Sequence, residues 1–550
     1  MSALHRIADD LYDHATSSNP TALLWDGKLD NLSEWTDLSP HAREERNRRY
    51  LEIAAAAESL AVDGPAARAL RDVVSTTARS NALLDAWEPE LLLVSPRMGV
   101  LEDIMSFITS FPLATAEHGE DYLAKMRRMP TMLDQLMDVA GAAADEGRVA
   151  LRRHLLDTAA TAEEYLATPA GPEERLCGQA PPSDLDDADA DAWRNRLIAV
   201  VRDQVRPGLA AYAARLRALA ERGRPDDRPG LVHLDGGLDM YRKHIWGNLL
   251  LDRTPEDLHE LGLAQVARLE DEYRTIAGPL LGLGDVSEIY ARLRDDPSLR
   301  YDSADALIAD ATSALARAEV AARDWFRVLP RSRCTANATD FGAMGYYSAP
   351  DPETGKEPRF YVKTSDPSSW STYELEGLTF HEAVPGHHLQ VGLAAEDDSL
   401  HKVQRELFNT AYAEGWALYA ERLADEMGLY STPMARVGML LNDSMRACRL
   451  VVDTGIHAFG WSRERAIEYV VDHSPIDPAH VAQEVDRYIS LPGQALAYMV
   501  GRLEIQAIRA EAEKSPDFDI RDFHDRVLRY GAVPLTTLRS QVLGGAAPEV

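Results

Sequence analysis

Apolar residues along this 550-residue chain recur mostly at intervals of three and four, the spacing that paints one face of a helix. The runs Ala192 to Glu221 and Ala304 to Arg327 are the clearest, rich in Ala, Leu, Arg and Glu, and both are read as helices. Only one place reads as sheet. There Gly342 to Ala349 and Arg359 to Thr364 flank Pro350-Asp351-Pro352-Glu353-Thr354-Gly355, which predicts a hairpin with a loop. The helical pattern lapses at Thr168 to Asp191, where Pro, Gly and Asp gather into a surface loop. It lapses again at Arg222 to Leu234, RGRPDDRPGLVHL. That second break is taken as the boundary between an N-terminal helical lobe, residues 1–230, and a C-terminal helical lobe, residues 231–550, together forming one catalytic unit. No repeat of 20 to 50 residues is evident, which excludes a solenoid. The expected fold is mainly α: large, two-lobed and helical, with a small β-hairpin beside a cleft.

Length supports the two-lobe expectation, because a chain of this size exceeds the point at which a single core stops growing. The formal charge of −31 argues against a nucleic-acid binder, since no basic stripe is present to neutralise phosphates. The first 30 residues hold no apolar core behind a basic start, and no window approaches the apolar length of a membrane helix. A cytoplasmic location without membrane association is therefore expected. Cys177, Cys334 and Cys448 are isolated and odd in number, giving neither a disulfide framework nor a Cys-x-x-Cys metal pair.

The chemistry is concentrated in His381-Glu382-Ala383-Val384-Pro385-Gly386-His387-His388, followed by Glu414 in Ala413-Glu414-Gly415-Trp416-Ala417. Imidazoles and one carboxylate can hold a divalent ion, and a glutamate beside the first ligand can take the proton of an activated water. The spacing departs from the H-E-x-x-H helix, because position i+4 from His381 is Pro385. On a straight helix His388 would share the face of His381 but lie about 10.5 Å along the axis, too far for bonds of roughly 2 Å. Proline removes a backbone donor and glycine loosens the chain, so Pro385-Gly386 should break the helix and turn the next residues in a new direction. Either His387 or His388 then becomes a ligand candidate. Glu414 stands among the small residues Ala411, Ala413, Gly415 and Ala417, which would let its helix approach the motif helix, and Glu421 lies seven residues on.

The segments HEAVPGHHLQ, AYAEGWALYAE, RLVVDTGIHAFGW and RYISLPGQALAYMVGRLEI resemble the bacterial family of domain of unknown function 885, whose members are regarded as gluzincin-type metallopeptidases. NPTALLWDGKLDNLSEW, DMYRKHIWGNLLLDRTPEDLHELGL and GYYSAP with RFYVKT extend the likeness over nearly the whole chain. The resemblance implies a helical metallopeptidase-like fold, one Zn2+ per chain held by His381, His387 and Glu414, with His388 the alternative to His387, and Glu382 as general base. It carries chemistry further than biology, because the family's substrates are poorly established.

Further candidates come from the later helices. Arg446, Arg449, Asp453 and His457 fall at i, i+3, i+7 and i+11, one helical stripe among apolar neighbours. His457 is a candidate donor to the oxyanion, with Asp453 and Arg449 orienting it or gripping a carboxylate. In Glu484 to Arg502, another Pro-Gly break is surrounded by polar residues: Tyr488 is the second oxyanion candidate, Tyr498 its fallback, and Arg487 a carboxylate binder. In helical metallopeptidases resembling this architecture a late histidine and tyrosine have that role, which His457 and Tyr488 fit. The hairpin adds an edge strand to which an extended substrate could pair, with Tyr346 and Tyr347 on alternate faces, so that one at most faces the cleft.

Together these readings point to a zinc-dependent hydrolase cleaving amide bonds, with short peptides as substrates. The same site would serve a non-peptide amide hydrolase in small-molecule metabolism, and a metal-free helical binding scaffold is the alternative outside catalysis. A homodimer is compatible with the sequence, which does not decide it.

Overall fold

The computed structural model describes residues 2–21, 29, 31–86, 94–96, 99–109, 112–340, 342–351, 355–407 and 409–544. Its helices are α1 (Ala3–Ser18), α2 (Pro40–Glu58), α3 (Pro65–Ala86), α4 (Val100–Phe107), α5 (Ala116–Asp145), α6 (Arg152–Ala167), α7 (Asp187–Val200) and α8 (Arg206–Ala220) in the first part of the chain. The second part holds α9 (Gly237–Leu249), α10 (Pro255–Leu281), α11 (Val286–Asp295), α12 (Ala304–Trp325), α13 (Leu375–Glu382), α14 (His387–Ala395) and α15 (Lys402–Glu406). It ends with α16 (Thr410–Glu426), α17 (Pro433–His457), α18 (Arg463–Asp472), α19 (Pro478–Ser490), α20 (Ala497–Ala512), α21 (Ile520–Leu528) and α22 (Leu535–Leu543). The fold is mainly α.

Local chemistry sets several helix starts. Ser39-Pro40, Thr254-Pro255, Thr432-Pro433 and Asp477-Pro478 each place a side-chain oxygen on the free backbone N–H groups of the first turn. Proline sits next, at the first helical position, where its missing N–H costs nothing. The run Ala192 to Glu221 falls within two helices, α7 and α8, joined by a π-helical turn at Val201–Val205. The Pro- and Gly-rich stretch from 168 holds a short 3-10 turn at Arg175–Cys177 and gives way to α7 at Asp187.

The sheet has one more strand than the hydrophobic pattern indicates. Strand β1 (Thr335–Thr339) pairs in parallel with β3 (Arg359–Lys363), and β2 (Gly345–Ser348) pairs antiparallel with β3 on its other side, giving the order β1-β3-β2. The expected hairpin is therefore β2 and β3, in register through Tyr346 with Tyr361 and Tyr347 with Phe360. Residues 352–354 of its loop lie outside the described residues.

Helix α17 forms the axis of the second part. From Val437 to His457 nearly every residue is buried, and it packs along α10. Helices α16 and α20 form a second tightly packed pair, and α13 lies against α12, α16 and α17. Buried apolar residues form one contiguous cluster from Leu4 to Val542, running across the Arg222–Leu234 segment where composition suggested a lobe boundary.

Candidate metal centre and its cavity

Helix α13 ends at Glu382 and α14 begins with His387, with four residues between them. Between them Gly386 passes so close to the preceding turn that a Cβ there would sit 1.8 Å from the His381 carbonyl oxygen and 2.4 Å from that of Phe380. Only glycine allows this approach. The indole N–H of Trp416, on α16, donates to the carbonyls of Pro385 at 3.0 Å and Gly386 at 3.3 Å, pinning the bend from outside. As a result the rings of His381 and His387 stand nearly perpendicular, with centroids 4.9 Å apart.

Glu414 completes the group. Its Oε2 lies 3.5 Å from Nε2 of His381 and 3.5 Å from Nε2 of His387, and the three donor atoms lie within 4.8 Å of one another. Tetrahedral donors at zinc bonds of ~2.0–2.1 Å stand roughly 3.4 Å apart. The same Oε2 is buried and lacks a hydrogen-bond donor, as a carboxylate oxygen aimed at a cation would be. The donor set therefore fits a divalent ion of nitrogen and oxygen preference.

A second carboxylate supports the first imidazole. Glu421, two turns along α16 and with no exposed surface, accepts from Nδ1 of His381 at 2.8 Å, which leaves Nε2 turned towards Glu414. Burial would lower the His381 imidazole, but the neighbouring carboxylates of Glu414 and Glu421 outweigh it and bring it up to about 9 without an ion. The Glu414 carboxyl moves the other way: burial would raise it, and the two histidines hold it well below the usual range. Glu382 lines the same cavity, 8 % exposed, and burial raises its carboxyl above the usual value.

His388 faces elsewhere. Its Nδ1 lies 3.0 Å from the Tyr347 hydroxyl and its Nε2 lies 3.2 Å from the Ser332 carbonyl. With Nε2–H donating to Ser332 and Nδ1 accepting from Tyr347, the ring is neutral, and burial brings its pKa down to about 4. His388 thus ties α14 to the sheet, and the structure brings His387 to the cluster.

The small residues on α16 also serve a different contact from the expected one. A Cβ on Gly415 would lie 2.5 Å from Gly501, and one on Gly501 would lie 1.9 Å from the Ala411 carbonyl, so this face is pressed against α20. Arg422 of α16 and Arg502 of α20 converge on Asp443 of α17, at 2.5 Å and 2.8 Å, with Asp443 and Arg502 fully buried. Arg422 reaches on to Glu272 of α10 at 2.7 Å. This network joins the helices that carry Glu414, Arg446 and Tyr498.

The cluster borders a cavity of about 3060 Å³ whose walls include β2, α13, α14, α17 and the start of α20. Tyr346 and Tyr347 both reach it, because β2 is an edge strand around which the cavity wraps. The Tyr346 ring stacks on Tyr361 at 5.0 Å. Arg449 and Arg487 also line the cavity and share Glu484, at 2.8 Å and 3.3 Å, while Arg487 donates to Gln494 at 2.7 Å. Tyr498 lines it beneath the Arg449 guanidinium, which lies 4.5 Å from the ring. Burial raises the Tyr498 phenol, and the charge of Glu414 adds to that.

Two expected residues sit apart from this wall. His457 is fully buried, its Nδ1 accepting from the Leu231 N–H at 3.3 Å and its Nε2 donating to the Tyr488 carbonyl at 3.0 Å. Burial lowers its pKa to about 3, so it is a neutral ring that joins three segments, with no nitrogen left for substrate. The Tyr488 hydroxyl is engaged between the Arg449 Nε, at 3.0 Å, and Glu484, at 2.9 Å. The helical stripe explains the difference: Arg446 and Arg449 face the cavity, whereas Asp453 and His457 lie two and three turns further into the core. Asp453 accepts from the Tyr241 hydroxyl at 2.6 Å and the Gly493 N–H at 3.1 Å. Of the two late-helix tyrosines, the fallback Tyr498 is the one that lines the cavity.

The chain belongs to the family described as bacterial protein of unknown function, DUF885, whose model matches residues 20–542. Two solved structures share its fold. One, a protein provisionally described as a lipoprotein from Colwellia psychrerythraea, is 24% identical, superposes with a TM-score of 0.90 and covers 99% of each chain. The other, provisionally described as a lipoprotein of unknown function from Shewanella oneidensis, is 18% identical with a TM-score of 0.72, covering 99% of this chain and 100% of that one. No curated protein matches.

Proposed function

We propose that this protein is a zinc-dependent hydrolase that cleaves amide bonds of short peptides. The observation that carries the reading is the convergence of His381, His387 and Glu414 on one point, with the buried Glu414 Oε2 at 3.5 Å from both imidazole nitrogens and no donor of its own. One Zn2+ bound there would polarise the scissile carbonyl and make an attacking water more acidic. Glu382 takes the proton of that water and returns it to the leaving amine; its burial beside the ligands raises its affinity for the proton. Glu421 holds the His381 ring in the tautomer that presents Nε2. Tyr498 replaces His457 and Tyr488 as the group that donates to the developing oxyanion.

Cavity size favours peptides over small amides, since a volume of about 3060 Å³ exceeds the roughly 300–1,000 Å³ that suits a single small molecule. The outer edge of β2 offers backbone groups along this cavity for an extended chain to pair with. The test is incubation of purified protein with a mixed peptide library, read by mass spectrometry. Chelator-sensitive cleavage that disappears in Glu382→Gln supports the reading. No chelator-sensitive cleavage of any member rejects peptidase activity.

We place the protein in the cytosol, a reading supported by three free cysteines. No described helix is long and apolar enough to cross a membrane. The lipoprotein descriptions of the two structural neighbours point the other way, and cell fractionation decides between them.

A further inference from the structure

Five arginines are buried among the described residues: Arg46, Arg446, Arg449, Arg463 and Arg502. Four have a carboxylate within ion-pair distance: Arg46 has Asp85, Arg449 has Glu484, Arg463 has Asp486 and Arg502 has Asp443. Arg446 has none. Its acceptors are the Asn442 side-chain oxygen at 3.1 Å, the Asn442 carbonyl at 3.4 Å and the Met445 sulfur at 3.7 Å, and its Nε is buried without an acceptor. An arginine buried without a counter-ion carries a large desolvation penalty, which an anion of fitting shape would offset.

Arg446 sits where an anion entering the cavity could meet it. Arg446 lines the cavity at 7 % exposure, beside the Tyr498 ring at 5.7 Å. One turn before it on α17, Asn442 packs where a Cβ on Gly377 would lie 3.0 Å away, and Gly377 is one turn before His381 on α13. No ion pair joins Arg446 to Glu382 or Glu374, two carboxyls whose protons its charge helps to release. Across the same wall Arg449 and Arg487 share the single carboxylate of Glu484. Three guanidiniums thus line this side of the cavity, and Glu484 is the one carboxylate within ion-pair distance of any of them among the described residues.

We propose that Arg446 anchors the free C-terminal carboxylate of the substrate, so that the enzyme acts on bonds near the C-terminus of short peptides. The inference rests on the hydrolase reading for its cleavage and on Arg446 alone for its selectivity. The planar guanidinium recognises a carboxylate through paired N–H groups, which a carboxamide satisfies poorly. A chain end held at Arg446 presents a bond close to that end to Glu382 and the ligand cluster, and interior bonds of long chains go uncut.

The test compares N-acetylated tri- to hexapeptides as free acids with the same peptides as C-terminal amides, binding measured by calorimetry on Glu382→Gln protein and cleavage on unsubstituted protein. Free acids are expected to bind about tenfold or more tighter than amides, and adding Arg446→Met should erase the difference by weakening acids alone. Arg446→Lys should retain part of it, and serves where the methionine variant fails to fold. Equal binding of acids and amides, or an equal loss for both in either variant, overturns the anchor. Acid-selective binding without any cleavage upholds the anchor and rejects the hydrolase reading. Cleavage of amides at the same rate as acids upholds hydrolysis and rejects the anchor.

Discussion

Nδ1 of His381 lies 2.8 Å from Oε1 of Glu421, a carboxylate without exposed surface on the helix that also carries Glu414. One helix therefore supplies both a candidate ligand and the group that aims a second candidate ligand. Glu421→Gln keeps the size and an acceptor but removes the charge. Its divalent-ion affinity should fall about 10- to 100-fold, the usual loss when such a partner is changed, while helix content stays the same. Competitive chelator titration with circular dichroism reads both, and unchanged affinity would refute the role.

Gly386 makes the bend possible. In Gly386→Ala the new methyl would meet the His381 and Phe380 carbonyls at 1.8 and 2.4 Å, so the backbone must open. A loss of about 1–3 kcal/mol in denaturant unfolding is expected, together with weakened ion binding as His387 moves away. Gly284, where a Cβ meets nothing within 4 Å, is the control: Gly284→Ala should change neither quantity measurably.

Asp453 predicts a pH dependence. Burial pushes its carboxyl from 3.8 up to about 7, with the Tyr241 hydroxyl and Gly493 N–H only partly offsetting that. The folded protein thus keeps a proton that the unfolded chain releases near pH 4, so this residue withdraws stability as pH rises from about 4 to about 7. Asp453→Asn lacks the ionisation. Relative to the unsubstituted protein its stability should rise across that window, by up to about 4 kcal/mol, as tracked by urea unfolding at a series of pH values. A constant difference between the two proteins would contradict this.

Most of the candidate site is legible in the sequence because its chemistry is local: His381, Glu382 and His387 lie within seven residues, and the Pro385-Gly386 break announces that a straight helix is not intended. Nothing local distinguishes Glu421 from other helical glutamates, and the role of Trp416 depends on a carbonyl pair thirty residues away in sequence. Spacing misleads at His457, where an i+11 position continues the stripe in sequence while the helix carries it past the cavity into the core. Strand β1 reads Thr-Ala-Asn-Ala-Thr, without the bulky apolar alternation that marks a strand, and it exists through parallel pairing with the distant β3. Arg446 is visible as part of the stripe, but its lack of a carboxylate emerges only once its neighbours are in place.

The most direct test is the metal content of purified protein by inductively coupled plasma mass spectrometry, for the unsubstituted chain, His387→Ala and His388→Ala. The account predicts close to one divalent ion per chain in the unsubstituted protein and in His388→Ala, and loss of that ion in His387→Ala. A metal-free unsubstituted protein after growth with zinc, or an ion retained in His387→Ala and lost in His388→Ala, would contradict it.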